Sequence, residues 1–167
     1  MKFLLPLAVL LLYSAASLAE QVRFGSLSLQ WPEGYTVKST QVPFELEGPN
    51  NQKVLVSIMR LGKGANPEAE PVDLAKLHAM NERFLSAQAQ KVGRIVVPIS
   101  KEPLPDGSTL QFVASETGGV FRKGYFIQYI ITSGSGRLGF ITFEGIGDPT
   151  AEHEKVKPLF QSAAWAP

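Results

Sequence analysis

Two histidines and a few acidic residues are the side chains that could bind a metal ion. The chain contains His78 and His153 but no cysteine. Asp148, Glu152 and His153 lie close together at the start of a predicted helix, where their side chains could serve as metal ligands. Adjacent helical residues point about 100° apart, so Glu152 and His153 are poorly placed to share one ion. We interpret them as part of a solvated helix start and predict no metal site and no cofactor.

Nucleophilic catalysis is equally poorly supported by the sequence. A serine nucleophile needs a base and an orienting acid, and no Gly-x-Ser-x-Gly elbow stands between a strand and a helix. Gly134-Ser-Gly136 is predicted to be a hairpin tip. Glu45 and Glu47 lie on the polar side of a strand, and their spacing alone does not make them a catalytic pair without burial. We therefore expect a non-enzymatic protein with no catalytic residues; a hydrolase with a serine near His78 or His153 is the least favoured alternative.

Two glycine clusters could suggest phosphate binding, Gly118-Gly119 and the run Gly145-Ile-Gly-Asp-Pro149. The second leads from a strand into a helix N-terminus, which is where anions bind. It lacks the further glycine and the lysine of known phosphate loops, and Asp148 would repel a phosphate. We predict that this run is a strand-to-helix corner without a ligand.

Aromatic side chains are the remaining candidates, because an exposed cluster of them would mark a ligand groove or a partner surface. Tyr125 and Tyr129 share one face of a predicted strand. The sequence leaves open whether the aromatic residues are core or surface. They are Trp31, Tyr35, Phe112, Phe121, Tyr125, Phe126, Tyr129, Phe140 and Phe143.

The elements that must position these residues are mostly strands. Three β-branched and aromatic runs separated by glycine-rich turns lie between Ser108 and Gly145, and they predict an antiparallel meander. Lys53–Arg60 is apolar on both faces, so we place it centrally with both faces covered. The other predictions are a strand over Val22–Trp31 bent at Gly25, a strand over Gln41–Glu47, a short strand over Arg94–Pro98, and a loop over Lys101–Gly107.

Two helices complete the secondary structure. The first is predicted over Pro71–Val92, with Gly93 as a natural residue just past its C-terminus. Its apolar stripe is predicted to face the core; the stripe is formed by Leu74, Leu77, Asn81, Phe84 and Leu85. The last helix has Asp148 as N-cap and Pro149 in its first turn. Pro158 is predicted to interrupt it.

The first nineteen residues have the pattern of an export signal. Lys2 precedes an apolar run over Phe3–Leu12, and small residues before Glu20 suit a signal peptidase. We predict cleavage near Ala19, a single α+β domain from Glu20 to Pro167 and a periplasmic or secreted location. No later segment is apolar enough to span a membrane. Without Lys2 the basic and acidic residues balance at 15 each, which argues against nucleic acid as a partner.

The order of elements and several short strings resemble the PsbP-like superfamily. These strings are Leu27-Ser-Leu-Gln-Trp-Pro-Glu-Gly-Tyr35, Phe143-Glu-Gly145 and Ser162-Ala-Ala-Trp165. The superfamily includes the extrinsic PsbP subunit of photosystem II, a small Ran-binding nuclear-transport protein and many short exported bacterial proteins. The resemblance implies an antiparallel β-sheet flanked by helices, an α/β/α sandwich. It carries over no functional residue, because its members bind different partners.

Three functions therefore remain as hypotheses. The first is an exported accessory protein that contacts another envelope protein. The second is a carrier of a small apolar ligand in a groove between the sheet and a helix. The third is the hydrolase mentioned above. A concave surface lined by the residues that share the Tyr125 and Tyr129 face would favour the carrier.

Overall fold

The computed structural model describes residues 20–61, 70–119 and 122–166. The predicted signal peptide and Phe121 lie outside the described residues, as does most of the loop before the first helix. The strands are β1 (Glu20–Phe24), β2 (Leu27–Trp31), β3 (Thr36–Ser39), β4 (Phe44–Gly48), β5 (Gln52–Arg60), β6 (Arg94–Pro103), β7 (Thr109–Gly119), β8 (Arg122–Thr132), β9 (Arg137–Ile146) and β10 (Ala164–Trp165). The α-helices are α1 (Leu74–Val92) and α2 (Pro149–Val156).

A seven-stranded antiparallel sheet organises the described part of the chain, in the order β3-β4-β5-β9-β8-β7-β6. The predicted meander forms its β7, β8 and β9 strands, with neighbouring strands in continuous register. The run from Ser133 to Gly136 is the tip of the β8–β9 hairpin, as predicted. The predicted α+β class, an antiparallel sheet flanked by helices, is confirmed.

A small second sheet corrects the prediction for the first strand. Val22–Trp31 is not one bent strand but the β1–β2 hairpin, in which Gly25 and Ser26 form the turn. Gly25 has a φ of 57°, which a residue without Cβ adopts at no steric cost. A two-residue turn and a bulge both change the parity of apolar residues, so the pattern alone suited either. Strand β10 pairs with the free side of β2.

The main core lies between the large sheet and a layer made of the β1–β2 hairpin, α2 and the segment that follows α2. Seven aromatic residues of the described chain are buried there, including Trp31, Tyr125 and Tyr129. Asp148 caps α2 by accepting a hydrogen bond from the Ala151 backbone N–H at 2.8 Å. Helix α2 ends at Val156 and is followed by a 3-10 segment over Lys157–Ser162 with Pro158 in its first turn, so the predicted interruption is confirmed.

Helix α1 packs on the opposite face of the sheet, over β6, β7 and β8. Its buried residues include Leu77, Leu85 and Ala89, which lie against Val113 and Ile130 in a second core cluster. The predicted start at Pro71 is wrong by three residues. Helical structure begins at Leu74, because the side chain of Asp73 accepts a hydrogen bond from the Lys76 backbone N–H at 3.1 Å and acts as N-cap.

Strand β6 is longer than its sequence indicated. The predicted strand over Arg94–Pro98 continues to Pro103, so the loop predicted from Lys101 begins only after that residue. Strand β6 lies at the sheet edge, and its register with β7 shifts between Val97 and Ser100. A proline is tolerated at an edge or a bulge because no neighbouring strand needs its missing N–H.

Strand β5 is central, as predicted, but only one of its faces is covered. Val54 and Val56 are fully buried in the main core. Leu55, Ser57 and Met59 point to the α1 side of the sheet, and α1 does not extend over them. The prediction that both faces are covered is therefore wrong, and the uncovered face forms part of a groove.

Candidate binding groove

An apolar groove runs along the outer edge of α1 and has a volume of about 560 Å³. We call it the α1 groove. Strands β5, β8 and β9 form its floor, and α1 forms one wall. Its lining residues are Pro43, Leu55, Ser57, Met59, Leu61, Met80, Asn81, Phe84, Gln128, Leu138, Phe140 and Thr142. The volume lies within the range of sites for small organic ligands, about 300–1,000 Å³.

The rim of the groove exposes large apolar side chains. Met59 is 50% exposed, Met80 is 52% exposed and Phe84 is 39% exposed. Phe84 contacts Phe140 edge to face, with ring centroids 5.7 Å apart. The prediction that Phe84 is buried with the rest of the helix stripe is thus wrong: its neighbour Leu85 faces the sheet, whereas Phe84 turns toward the groove.

The polar groups of the groove are uncharged. The Gln128 side-chain Nε2–H donates to Thr142 Oγ1 at 3.4 Å, and Gln128 Oε1 has no partner among the described residues. Asn81 Nδ2–H donates to Gln111 Oε1 at 3.0 Å and to Thr132 Oγ1 at 3.1 Å. The amide of Asn81 therefore ties α1 to the sheet, while the amide of Gln128 is only partly satisfied.

The aromatic face that the carrier hypothesis favoured is not the face that lines the groove. Tyr125 and Tyr129 point into the main core, and the groove uses Gln128, which has the opposite parity on β8. Sequence alternation identified both faces of β8. It gave no sign that the face carrying Gln128 would extend beyond the edge of α1.

The sequence predicted that His153 belongs to a solvated helix start. This prediction is wrong, because His153 is only 2% exposed and lies in the main core. Its Nδ1 lies 2.8 Å from the Tyr129 hydroxyl, and its ring lies 4.6 Å from that of Phe112. Burial lowers the pKa of His153 below its ordinary value and Lys157 adds to that effect, while Glu154 and Glu102 oppose it. The partner of this imidazole is thus a buried tyrosine.

The acidic residues near His153 have separate partners. Asp148 caps α2, and Glu152 Oε1 accepts a hydrogen bond from Gln52 Nε2–H at 2.7 Å. Gln52 also joins the hydroxyls of Tyr35 and Tyr125, at 2.5 and 2.7 Å. Burial raises the pKa of Tyr125 to about 12. This network connects β5, β8 and α2, and no spacing in the sequence predicted it.

The other candidates lie at the surface or beside α1. Glu45 pairs with Lys53 at 3.8 Å and Glu47 pairs with Lys38 at 2.7 Å, so both carboxylates lie on the wet side of β4, as predicted. Burial and Lys101 lower the pKa of His78, which is partly buried on α1 and does not line the groove. The run from Gly145 to Pro149 leads from the end of β9 into α2, as the predicted strand-to-helix corner requires.

The buried state of His153 predicts loss of stability in acid. The unfolded chain takes up a proton near pH 6.5, whereas the folded chain resists protonation until the pH falls through its lowered pKa. We expect the free energy of unfolding to fall below pH 6.5 by up to about 1.4 kcal/mol per pH unit from this residue. Urea unfolding of wild type and His153→Gln between pH 5 and 7.5 measures it. An equal slope in both proteins would contradict the prediction, and His78→Gln shows the share of the other histidine.

Comparison with known proteins gives a result at the level of the fold. No protein-family model and no curated protein matches the chain. LpqN of Mycobacterium tuberculosis, described as involved in cell envelope biogenesis, is 11% identical, with a TM-score of 0.61 over 89% of this chain and 90% of LpqN. A Bacteroides thetaiotaomicron protein is 6% identical, with a TM-score of 0.57 over 90% of this chain. The match covers 49% of that protein, so this chain spans about half its length.

A solution structure of cyanobacterial PsbP from Synechocystis sp. PCC 6803 is 14% identical over 92% of this chain and 95% of PsbP, with a TM-score of 0.49. Identities this low concern the fold alone. Neither of the two described helices is long and apolar enough to cross a membrane.

Proposed function

We propose that the chain is an exported, non-enzymatic accessory protein of the cell envelope that acts by binding, with the α1 groove as its binding surface. The N-terminal pattern of an export signal supports the location, and the involvement of LpqN in cell envelope biogenesis agrees with it. The groove carries the proposal, because it is a concave apolar surface beside three large exposed apolar side chains. His153 contacts a tyrosine in the core, which supports a non-enzymatic role.

A small apolar molecule is the occupant that the geometry supports best. Small-molecule sites are concave, mostly apolar and contain a few polar groups that orient the ligand. The α1 groove combines these features, with Leu55, Leu138 and Phe140 as apolar lining and Gln128 and Thr142 as polar groups. The carrier hypothesis is therefore retained, with its ligand on the opposite sheet face from the one expected.

Titration with the uncharged fluorophore N-phenyl-1-naphthylamine tests this function. We expect binding to wild type, and about tenfold weaker binding to Met80→Glu, because a bound apolar ligand would strip water from the new carboxylate. Ala79→Glu is the matched control: it adds the same charge to an exposed neighbouring position that does not line the groove. It should bind like wild type. Absence of binding to wild type, or equal weakening in both variants, would contradict the function.

Contact with another envelope protein is the second candidate, and the groove rim favours it. Met59, Met80 and Phe84 are exposed together, and methionine side chains adapt to varied partner surfaces. Affinity capture from envelope extract with wild type, Met80→Glu and Ala79→Glu tests this candidate. A protein retained by wild type and Ala79→Glu but lost with Met80→Glu supports it, and equal capture by all three contradicts it.

A further inference from the structure

The floor of the α1 groove contains an amide that the protein leaves partly unsatisfied. Gln128 is 7% exposed and lies in the middle of β8, where its Cα pairs with that of Thr142 on β9. Its hydrogen bond to Thr142 Oγ1 is long, at 3.4 Å, and its Oε1 has no partner in the described part of the chain. Buried amides are usually fully hydrogen-bonded, so an exception calls for a physical explanation.

Rotating the Gln128 amide by half a turn still leaves one of its polar atoms without a hydrogen-bond partner. The Thr142 hydroxyl both donates and accepts, so it bonds to whichever amide atom faces it. Exchanging the nitrogen and oxygen of Gln128 would then leave the nitrogen unpaired instead of the oxygen. In either orientation one amide atom of the groove floor remains available to a ligand.

The groove offers no counter-charge for an ionised ligand. None of its described lining residues is charged. Glu45 lies opposite the groove residue Leu55 in the sheet register, and Lys53 lies opposite Glu47. Glu45 and Lys53 form a diagonal ion pair at 3.8 Å, and neither lines the groove. A carboxylate or ammonium group placed on the floor would lose its hydration without compensation, which is strongly unfavourable. An uncharged polar group would lose much less and could bond to Gln128.

We propose that Gln128 is the specificity-determining residue of the α1 groove and that the ligand is an uncharged single-chain amphiphile. The apolar chain lies against Leu55, Phe84 and Phe140, and a hydroxyl or amide at its end bonds to the Gln128 side chain. This assignment rests on the proposed binding function of the groove and adds the chemical class of the ligand.

Titrations with decan-1-ol and decanoate at pH 7.5 test the assignment, because the two chains have the same length and differ in charge. Isotope-labelled wild-type protein is followed by two-dimensional NMR, including the side-chain amide signals of Gln128. We expect decan-1-ol to bind at least about tenfold more tightly than decanoate and to shift those amide signals. Gln128→Leu, which has a similar volume, should bind decan-1-ol about fivefold more weakly than wild type. Gln30→Leu, an exposed glutamine on β2, should bind like wild type.

Each other outcome identifies what has failed. Equal or tighter binding of decanoate to wild type would overturn the assignment, as would undiminished binding of decan-1-ol to Gln128→Leu. In both cases the groove would still be a binding site. If neither compound shifts any groove signal of wild type, the small-ligand function fails together with the assignment, and contact with a protein becomes the remaining candidate.

Discussion

Replacing Leu85 with alanine is expected to lower the free energy of unfolding by about 3 kcal/mol, whereas replacing the adjacent Phe84 is expected to cost about 1 kcal/mol or less. Leu85 is fully buried between α1 and the sheet, in a cluster with Val113 and Ile130. Its removal leaves a cavity that a helix packed on a rigid sheet cannot easily close. Phe84 is partly exposed to solvent at the groove rim.

Urea unfolding of the two variants and wild type, followed by circular dichroism, measures this difference. Phe84 is the larger residue, so a simple size argument would predict the larger loss for Phe84→Ala. Equal losses, or a larger loss for Phe84→Ala, would mean that α1 is rotated about its axis so that Phe84 packs against the sheet. The α1 groove would then not exist in this form.

The helix stripe illustrates how far sequence periodicity determines packing. The 3.6-residue period identified Leu77 and Leu85 as core residues, and both are buried. It also assigned Phe84, which borders the same stripe, to the core. Whether a residue at the border of a stripe is covered depends on where the helix axis crosses the sheet. Helix α1 lies over β6 to β8, and Phe84 consequently faces the strands that remain uncovered.

The prediction that both faces of β5 are covered was wrong for a related reason. Its apolar residues on both parities correctly predicted a central strand. Val54 and Val56 are covered, but Leu55 and Met59 line an open groove. An apolar face in the sequence looks the same whether the chain covers it or leaves it for a ligand. At the α1 groove, the sequence therefore predicted the strand correctly but predicted its burial wrongly.

The contacts of the buried polar residues could be predicted even less well, because they depend on the tertiary structure. The two acidic neighbours of His153, Glu152 and Glu154, indicated a solvated position for its side chain. On α2, however, His153 shares its buried face with Pro149 and Val156, which turns it toward Tyr129. The contact between Gln52 and Glu152 joins residues that are 100 positions apart. Composition and local spacing contain no information on such a contact, whereas the hairpins and helix caps are set by near neighbours.

Replacing Gly93 with alanine is expected to destabilise the fold by about 3 kcal/mol, although its conformation suits any residue. The sequence predicted Gly93 as a natural residue just past the C-terminus of α1, a position where glycine usually adopts a left-handed conformation. The φ of Gly93 is 175°, however, which is extended backbone. The need for glycine is steric instead. A Cβ at this position would lie 2.0 Å from the carbonyl oxygen of Glu116 and 2.9 Å from its carbonyl carbon. Both are backbone atoms of a strand paired on two sides, so they cannot move without disturbing β6 and β8.

Gly134→Ala is the matched control for this prediction. Gly134 lies in the β8–β9 turn, and a Cβ there would meet no atom within 4 Å. We expect that variant to stay within about 0.5 kcal/mol of wild type. Chemical unfolding of both variants measures the difference. A Gly93→Ala protein as stable as Gly134→Ala would show that α1 and β7 are further apart than described, because the close approach of the helix end to Glu116 is what excludes a side chain. The same approach fixes the end of α1 against the sheet, and with it the wall of the α1 groove.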